Sequence, residues 1–494
     1  MMTDWHKRLE EMTGYKAFKP GQLASLEALD RQENVVAILP TGGGKSLIYQ
    51  INQYNEPGVT LIISPLISLM QDQVSQLQRM GLGRGIALNS TYDRGEQAYI
   101  LSHLSDYQFL FLSPEMLLKD HVIRVLQRMH IQLLVVDEAH CISQWGYDFR
   151  PQYTELKKVR QLLKQPKTLA LSATANQSTL ADIKAYLFEE AEPIQLVKES
   201  VDRPNIFYLF DEIDAGEVRV NKLQDWLDRL PKPGIVYVHH KSELEELNQW
   251  MKDHTDLRVA SYHGDRSLED RHIIQSQFLQ NELDVVFATS AFGMGINHGH
   301  IRFVLHYHLP KNMADFIQEV GRAGRDQEQS VSIVLYDNRE AARLQQMRRL
   351  LEDEADLLDD LLERLFKQAL TQSEVDQYAD SVSAMLYFYR HHFTDYQTAK
   401  VHAQKLRQER LRQIYQMLDL MANDQCYRTF LLDQADEQVV DRPDLCCSNC
   451  QPDYASRPIW QDLMALPNRV KVEKDEHDGD FKEMWTQRLQ HLLS

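Results

Sequence analysis

The sequence predicts an α/β protein in which two doubly wound parallel sheets follow each other and are followed in turn by a helical module. Three observations support this fold class. Two series of apolar runs of strand length alternate with segments of helical periodicity, as expected for parallel sheets covered by helices. A glycine-rich turn follows the first strand of the first series. Four of the five cysteines fall between positions 426 and 450, which favours a metal-binding module over a disulfide scaffold.

Size and composition are those of an ordinary globular protein with several domains. The chain has 494 residues, of which 43% are hydrophobic and 26% charged. We expect four units, at 1–205, 206–340, 341–455 and 456–494, the last a short helical tail. The start lacks an apolar h-region and no apolar run reaches membrane-spanning length, which predicts a cytoplasmic protein with no membrane partner.

The formal net charge of −18 counts against a nucleic-acid partner at first sight. Phosphate contacts need only a local basic stripe, however, and positions 400–412 supply a candidate with Lys405, Arg407 and Arg410. A solvated helix face explains this stripe equally well.

The glycine-rich turn is a candidate phosphate-binding loop. It reads Leu-Pro-Thr-Gly-Gly-Gly-Lys-Ser over 39–46, after an apolar strand and before a helical segment. Glycines let backbone N–H groups approach an anion, the lysine can reach the terminal phosphates and the serine hydroxyl can ligate Mg²⁺. Leu39 stands where the first glycine of the usual spacing belongs, so a plain strand-to-helix turn is the alternative. The candidate ligands are Thr41, Gly42, Gly43, Gly44, Lys45 and Ser46.

A pair of acidic residues farther along the chain supports the interpretation of the glycine-rich turn as a phosphate-binding loop. The apolar run 133–136 ends in Asp137 and Glu138. A carboxylate at the end of a strand can hold Mg²⁺, and its neighbour can take a proton from an attacking water. Together with Lys45, the pair predicts ATP hydrolysis.

Just upstream, Phe18 and Gln22 stand at the start of a helix whose leucines follow helical spacing. The ring could stack on an adenine and the amide could pair with its edge. A helix N-terminus with an aromatic core residue is the alternative that spacing alone favours.

Small polar residues follow several predicted strands of the first series, where the loops of a doubly wound sheet line one crevice. Such residues suit contacts to phosphodiesters, although each alone is also a helix N-cap. The candidates for this track are Ser64, Asn89, Ser90, Ser172 and Thr174, with Thr289 in the second series.

An aromatic-rich stretch over 141–153 follows the acidic pair and includes Trp145, Phe149 and Arg150. Aromatic rings stack on bases without sequence preference and an arginine adds charge, so we expect contact with single-stranded nucleic acid. A small local hydrophobic cluster is the alternative.

The second series has no phosphate-binding loop of its own. It carries Arg322 and Arg325, three residues apart on one side of a helical turn. Guanidinium groups that cross a domain cleft to the γ-phosphate would act as arginine fingers, and ATP turnover would then open and close the cleft.

These motifs together resemble the series found in RecQ-family DNA helicases of superfamily 2. The similarity rests on 18–22, 41–46, 137–146, 291–297 and 318–326, and residues 141–146 are its most specific part. It implies two RecA-like domains and an ATP-driven 3′→5′ helicase that moves on single-stranded DNA and unwinds 3′-tailed duplexes in repair or recombination. It also implies that Trp145, Phe149 and Arg150 couple DNA contact to hydrolysis, and that Arg325 is the finger. The further nucleotide contacts it implies are Phe18, Lys19, Gln22, Gln318, Gly293 and Gly295.

The same resemblance implies that a zinc module follows the second motor domain, and that single-strand-binding or recombination proteins are possible partners. Zn²⁺ prefers four tetrahedral ligands and soft thiolates. The family pattern puts a cysteine where Asp444 stands, and Cys446 is shifted next to its neighbour. We expect Cys426, Cys446, Cys447 and Cys450 as ligands. Asp444 in place of Cys446, or no metal at all, are the alternatives.

The stretch after Cys450 is too short for the winged-helix and helicase-and-RNase-D-like domains of longer family members, so a short form is expected. An RNA helicase and a DNA-binding scaffold with a vestigial ATPase are the rival functions. The aromatic stretch and the cysteines count against the first, and the complete set of predicted catalytic residues counts against the second. If the chain is prokaryotic, association with the nucleoid is expected.

Overall fold

The computed structural model describes residues 3–89, 91–143, 151–214, 217–292, 298–337, 339–367, 370–375, 377–378 and 380–466. Within these ranges the chain forms two parallel sheets and a C-terminal group of helices. Trp145, Phe149, Arg150, Ser90, Gly293 and Gly295, which the sequence singles out, lie outside the described residues, as does the predicted C-terminal tail beyond 466.

The first sheet has seven parallel strands in the order β3-β4-β2-β5-β6-β1-β7. Its central strands are buried on both faces, which explains their continuous apolar sequences. Side chains alternate between two core layers, with Val36 and Ile38 on one face and Val35 and Ala37 on the other. The strands are β1 (Asn34–Ile38), β2 (Val59–Ile63), β3 (Gly85–Leu88), β4 (Phe109–Leu112), β5 (Ile131–Val136), β6 (Thr168–Ser172) and β7 (Ile194–Lys198).

Nine α-helices accompany this sheet among the described residues, and most of them connect one parallel strand to the next. They are α1 (Trp5–Thr13), α2 (Gln22–Asp30), α3 (Lys45–Gln53), α4 (Ile67–Arg79), α5 (Arg94–Ser102), α6 (Pro114–Leu117), α7 (Asp120–Leu126), α8 (Leu156–Leu162) and α9 (Gln177–Leu187). Short 3₁₀ turns occupy Leu104–Asp106, Ala139–Ile142 and Pro151–Glu155.

The second sheet has six parallel strands in the order β10-β11-β9-β12-β13-β8. It repeats the architecture of the first, with apolar layers on both faces. Its strands are β8 (Ile206–Glu212), β9 (Gly234–Tyr237), β10 (Val259–Tyr262), β11 (Val285–Ala288), β12 (Phe303–His306) and β13 (Ser330–Tyr336). Its helices are α10 (Arg219–Arg229), α11 (Lys241–His254), α12 (Leu268–Leu279) and α13 (Met313–Val320).

The C-terminal helices form two apolar groups. One group lies within residues 358–403 and forms a small core of its own, which includes Leu361, Leu365 and Tyr389. The cysteine-bearing part instead joins a core layer of the second sheet, where Tyr427 stacks on Phe210 at 4.2 Å between ring centroids. The helices are α14 (Arg339–Phe366), α15 (Gln372–Val375), α16 (Asp380–His392), α17 (Tyr396–Met421), α18 (Tyr427–Asp433) and α19 (Pro458–Met464).

The cysteine-bearing segment also lies along β8, the edge strand of the second sheet. The N–H of Tyr208 donates to the carbonyl of Cys446 at 3.3 Å, and its carbonyl accepts from the N–H of Ser448 at 2.9 Å. The outer side of the edge strand is therefore paired at this position. Across the described ranges, no helix combines the length and apolarity needed to cross a membrane.

Candidate nucleotide site and metal centre

The phosphate-binding loop lies where β1 meets α3. Gly42 and Gly44 have φ of +83° and +70°, in the left-handed region that glycine adopts without steric cost. Gly44 is the N-cap residue of α3, so the positive end of that helix and its free N–H groups begin at the loop. The turn therefore has the backbone geometry that suits an anion.

Lys45 is the first residue of α3, and its side chain returns to the loop. Its Nζ donates to the carbonyl of Leu39 at 3.3 Å. Burial lowers the pKa of Lys45, and Glu138 and Asp137 act in the opposite direction. Arg325 of the second domain lowers it further. The pKa of Lys45 therefore responds to the acidic pair of its own domain and to an arginine of the other one.

The acidic pair follows β5, directly beside the loop. Burial, and then the charge of Glu138, raise the pKa of Asp137 to about 7 even though Lys45 opposes this. Glu138 has φ of 48°, a left-handed conformation that non-glycine residues adopt rarely and that is common at functional sites. A divalent cation beside Asp137 would offset the cost of ionising this buried carboxyl.

His140 connects the acidic pair to the loop after β6, a link that sequence reasoning missed. Its Nδ1 lies 3.4 Å from Oε2 of Glu138 and 3.0 Å from Oγ of Ser172. The Ser172 hydroxyl donates to the carbonyl of Thr174 at 2.6 Å, so its oxygen is free to accept from Nδ1. Burial lowers the pKa of His140, which favours the neutral imidazole. No local pattern could have shown this chain of contacts, because it joins the ends of two strands.

Gln22, expected to read adenine, contacts the loop itself in this structure. Its amide nitrogen donates to the carbonyls of Gly43 at 3.1 Å and Gly44 at 2.9 Å, and its oxygen accepts from the N–H of Lys19 at 2.9 Å. The Nζ of Lys19 donates to the carbonyl of Gly42 at 2.8 Å. The segment before α2 therefore lies against the loop. Phe18 makes an edge contact with the ring of His6 at 5.3 Å between centroids.

Arg325 of the second domain lies over the loop of the first. A Cβ added to Gly42 would be 3.0 Å from Cγ of Arg325. Burial lowers the pKa of Arg325 to about 9, with further contributions from Arg322 and Arg203. Several cationic groups are thus concentrated at one place, which is energetically costly unless an anion binds among them.

The other nucleotide candidates lie around the same loop. Thr41 packs against Gly321 of the arginine-bearing turn, since a Cβ on that glycine would be 3.0 Å from Cβ of Thr41. Ser46 is the second residue of α3, directly after Lys45. Gln318 lies on α13, which leads directly into the arginine-bearing turn.

The predicted nucleic-acid track differs from expectation at several positions. Ser64, Asn89 and Ser172 are buried, with exposures of 1%, 1% and 0%. Asn89 accepts from the N–H and the hydroxyl of Thr91 at 2.9 Å and 2.6 Å, so it closes a local turn. Thr174 and Thr289 are partly exposed. Among the described candidates of this track, therefore, three side chains are closed to solvent and two are partly open to it.

Several cations of the basic stripe on α17 pair with acidic residues of the antiparallel helix α14. Lys400 pairs with Asp359 at 2.7 Å, and Arg410 with Glu354 at 3.6 Å. Arg407 lies 4.0 Å from Asp356. These pairs agree with the alternative of a solvated helix face.

Four thiols come together in the C-terminal module. The sulfur atoms of Cys426, Cys446, Cys447 and Cys450 all lie within 4.8 Å of one another. Zinc–thiolate bonds of about 2.3 Å place sulfur atoms somewhat less than about 4 Å apart, so a modest contraction would fit a tetrahedral ion. Asp444 is exposed, and Gln451 donates to its backbone carbonyl. The donor set that the described residues offer is therefore four cysteines.

Two protein families match the chain in order. Residues 19–183 match the DEAD/DEAH box helicases, and residues 219–327 match the helicase conserved C-terminal domain. The first match includes the loop and the acidic pair, and the second includes both arginines of the cleft.

Individual relatives cover almost the whole chain. It is 37% identical over 463 residues to the probable ATP-dependent DNA helicase RecS of Bacillus subtilis, covering 91% of this chain and 92% of that protein. It is 32% identical over 460 residues to the ATP-dependent DNA helicase RecQ of the same organism, covering 92% and 68% respectively.

Solved structures with lower identity share the fold. A DUF1998 helicase, MrfA, bound to DNA has a TM-score of 0.56 at 16% identity and covers 68% of this chain and 51% of its own. The Mycobacterium smegmatis helicase Lhr bound to single-stranded DNA and AMP-PNP has a TM-score of 0.56 at 19% identity, with 85% and 57% covered.

Proposed function

Because this chain belongs to the RecQ family of ATP-dependent DNA helicases, we propose that it hydrolyses ATP between its two sheets and translocates 3′→5′ on single-stranded DNA. One observation carries most of the argument. Arg325 of the second domain lies against Gly42 of the phosphate-binding loop of the first. A site built from two lobes can change the distance between them when its nucleotide is cleaved, which is what a motor requires.

The proposed chemistry assigns a role to each group in the cleft. The loop amides and Lys45 bind the phosphates, and Glu138 takes a proton from the attacking water. Arg325, with Arg322 beside it, stabilises the charge that develops on the γ-phosphate. The hydroxyl of Ser46 and the carboxylate of Asp137 are oxygen donors of the type that Mg²⁺ prefers. When bound, Mg²⁺ would neutralise phosphate charge.

The proposed substrate is single-stranded DNA and duplexes with a 3′ tail, handled in repair or recombination. The aromatic stretch with Trp145, Phe149 and Arg150 is assigned to sensing the strand, because it follows the acidic pair in sequence. We assign the motor to 1–205 and 206–340, and a zinc-binding module to 341–455. The four cysteines are proposed to hold Zn²⁺, which would stabilise that module.

The proposed setting follows from the substrate. The protein would work in the cytoplasm, close to the nucleoid, and could meet single-strand-binding or recombination proteins on the same DNA.

The test is unwinding of tailed duplexes, comparing 3′ with 5′ tails and DNA with RNA. We expect ATP-dependent unwinding of 3′-tailed DNA. The variant Lys45→Ala is expected to abolish hydrolysis and unwinding while DNA binding stays measurable, because the strand contacts do not depend on that side chain. Unwinding from 5′ tails or of RNA would contradict the proposed polarity or substrate. DNA binding without any ATPase activity in the native chain would favour a scaffold.

A further inference from the structure

Arg203 lies in the segment that connects the two sheets, between β7 and β8, and is 7% exposed. Its guanidinium reaches both sides of the nucleotide cleft. Nη1 donates to the carbonyl of Thr41 in the phosphate-binding loop at 3.3 Å. The same nitrogen donates to the carbonyl of Gly321, in the arginine-bearing turn of the second domain, at 3.1 Å.

The second terminal nitrogen binds only the arginine-bearing turn. Nη2 donates to the carbonyl of Ala323 at 3.0 Å and to that of Gly324 at 2.5 Å. The two terminal nitrogens of Arg203 therefore serve four backbone carbonyls. Three of these carbonyls flank Arg322 or immediately precede Arg325, so the position of both arginines depends on this contact.

An arginine is needed for this geometry. Its planar group presents donors in a fixed fork, whereas lysine carries all its donors on a single nitrogen and cannot span separated acceptors in the same way. Without the guanidinium, the buried carbonyls of Gly321 and Ala323 and the part-buried carbonyl of Thr41 would lose this donor, which is unfavourable.

The backbone of the connecting segment is itself held in place. Arg428 of α18 is fully buried and ion-pairs with Asp202, and it donates to the carbonyl of Arg203 at 3.0 Å. Asn205 donates through Nδ2 to the carbonyl of Gly324 at 2.8 Å. Arg203 is thus fixed at its backbone by the C-terminal module while its side chain bridges the cleft.

We propose that Arg203 is a positioning residue for ATP hydrolysis, which holds the turn bearing Arg322 and Arg325 in register with the phosphate-binding loop. The loop and the turn then respond to the nucleotide as one unit, because a single guanidinium binds both. This inference rests on the proposed function, since it assigns Arg203 to the nucleotide site of that ATPase.

The experiment measures DNA-stimulated ATPase activity against ATP concentration for the full chain and for Arg203→Gln and Arg203→Lys. We expect kcat to fall about ten- to a hundredfold in both variants, because a small displacement of a catalytic group has an effect of that size. KM for ATP should change by less than about threefold, because the groups that bind ATP remain. The matched control is Arg160→Gln, which removes another buried guanidinium that donates to Glu192 and the carbonyl of Leu187, outside the cleft. The folded fraction of the Arg160→Gln variant should keep the native kcat.

A double-variant cycle separates positioning from a purely structural role. If Arg203 acts through Arg325, the variant that combines Arg203→Gln with Arg325→Ala should be no slower than Arg325→Ala alone. The proposal would be overturned if the fold-losses in kcat of the two single variants multiplied in the double variant. It would also be overturned if the kcat of folded Arg203→Gln lay within about twofold of the native value.

A second variant covers the case in which Arg203→Gln does not fold. Asn205→Ala leaves the guanidinium in place but removes a neighbouring support of the same turn. It should lower kcat severalfold with KM unchanged, and an unchanged kcat would overturn the proposal. Absence of DNA-stimulated ATPase in the native chain would instead refute the proposed function, whereas an active native chain with unaffected variants refutes only this inference.

Discussion

Gly321 packs so closely against Thr41 that a methyl group in its place would lie 3.0 Å from the threonine Cβ. The first residue belongs to the arginine-bearing turn and the second to the phosphate-binding loop. At this contact between the two domains, the space at Gly321 fits a hydrogen atom but not a methyl group. This contact stands beside the Arg203 bridge and makes the spacing of the cleft sensitive to a single methyl group.

Gly321→Ala is expected to move the turn away from the loop by a few tenths of an ångström. Its φ of −60° accommodates alanine, so the effect comes from the contact and not from backbone strain. We predict a kcat for ATP hydrolysis about three- to tenfold lower, with little change in ATP affinity. Gly264→Ala is the control, because nothing lies within 4 Å of the added methyl group. Equal kcat values for the two variants would contradict the prediction.

Ser172→Ala is expected to break the contact between His140 and the loop after β6. His140 then loses the hydroxyl that accepts from its Nδ1, which costs about 1–2 kcal/mol of unfolding free energy. If this chain of contacts relays DNA binding to Glu138, the stimulation of ATPase by single-stranded DNA should fall several-fold more than basal activity. Thr60→Val controls for loss of a buried hydroxyl, since Thr60 donates to Gln53 at 2.6 Å within the core. A proportional loss of basal and stimulated rates would exclude the relay.

Trp145→Ala should retain basal ATPase activity and lose most of its stimulation by single-stranded DNA. The reason is that stacking on a base contributes about 1–3 kcal/mol to strand binding. ATPase activity is measured as a function of DNA concentration. Trp250→Ala, which removes a tryptophan that stacks on His254 on α11, is the control. Normal stimulation in the Trp145 variant would refute the coupling role.

The metal prediction separates the two ligand sets that the sequence leaves open. Cys446→Ser should lower bound zinc well below one ion per chain and destabilise the module, with a cost on the order of 3 kcal/mol. Asp444→Ala should keep both zinc content and thermal stability, because its side chain is exposed. Metal content is measured by elemental analysis after purification without chelators. Zinc loss in the Asp444 variant, or native protein without zinc, would contradict the four-cysteine site.

The carboxyl of Asp72 on α4 should make the free energy of unfolding depend on pH. Burial raises the pKa of Asp72 to about 6 from 3.8, although His272, Arg79, Gln275 and Arg271 favour its charged form. An acid with a raised pKa takes up a proton on folding, so it destabilises the folded state above pH 6 and stops doing so as the pH falls toward 3.8.

Asp72→Asn should therefore be about 1–2 kcal/mol more stable than the native chain at pH 8, with the gap closing between about pH 6 and pH 4. Urea unfolding midpoints measure the difference. Asp228→Asn, at an exposed site on α10, should show no comparable trend. A difference that does not vary with pH would contradict the interpretation.

The strands show which parts of the fold a sequence reveals. Continuous apolar runs become central strands such as Val59–Ile63 and Phe109–Leu112, in which every residue is buried. The strands that were missed are Gly85–Leu88, Ile194–Lys198 and Ile206–Glu212. All three lie at sheet edges. Gly85–Leu88 begins with a glycine and Ile194–Lys198 is only partly buried, so their patterns are weak. Ile206–Glu212 is apolar and buried over its first five residues, so its pattern does not explain why it was missed.

Some residues of the candidate site could be found from the sequence, and others could not. Lys45, Asp137 and Glu138 could be found because their roles depend on short motifs beside a strand. The Arg203 bridge joins positions far apart in sequence, and no local pattern encodes it. Ser64 is buried where its N–H donates to the carbonyl of Leu112 at the end of the neighbouring strand, and the sequence alone does not show this pairing.

The pairing of Tyr208 with the cysteine-bearing segment has a consequence for solubility. β8 is the last strand of its sheet, and an open strand edge is where a second copy of a protein most readily adds a strand of its own. The cysteine segment occupies part of that edge with two backbone hydrogen bonds. Whatever keeps the four thiols together thereby also shields the chain from aggregation at this edge.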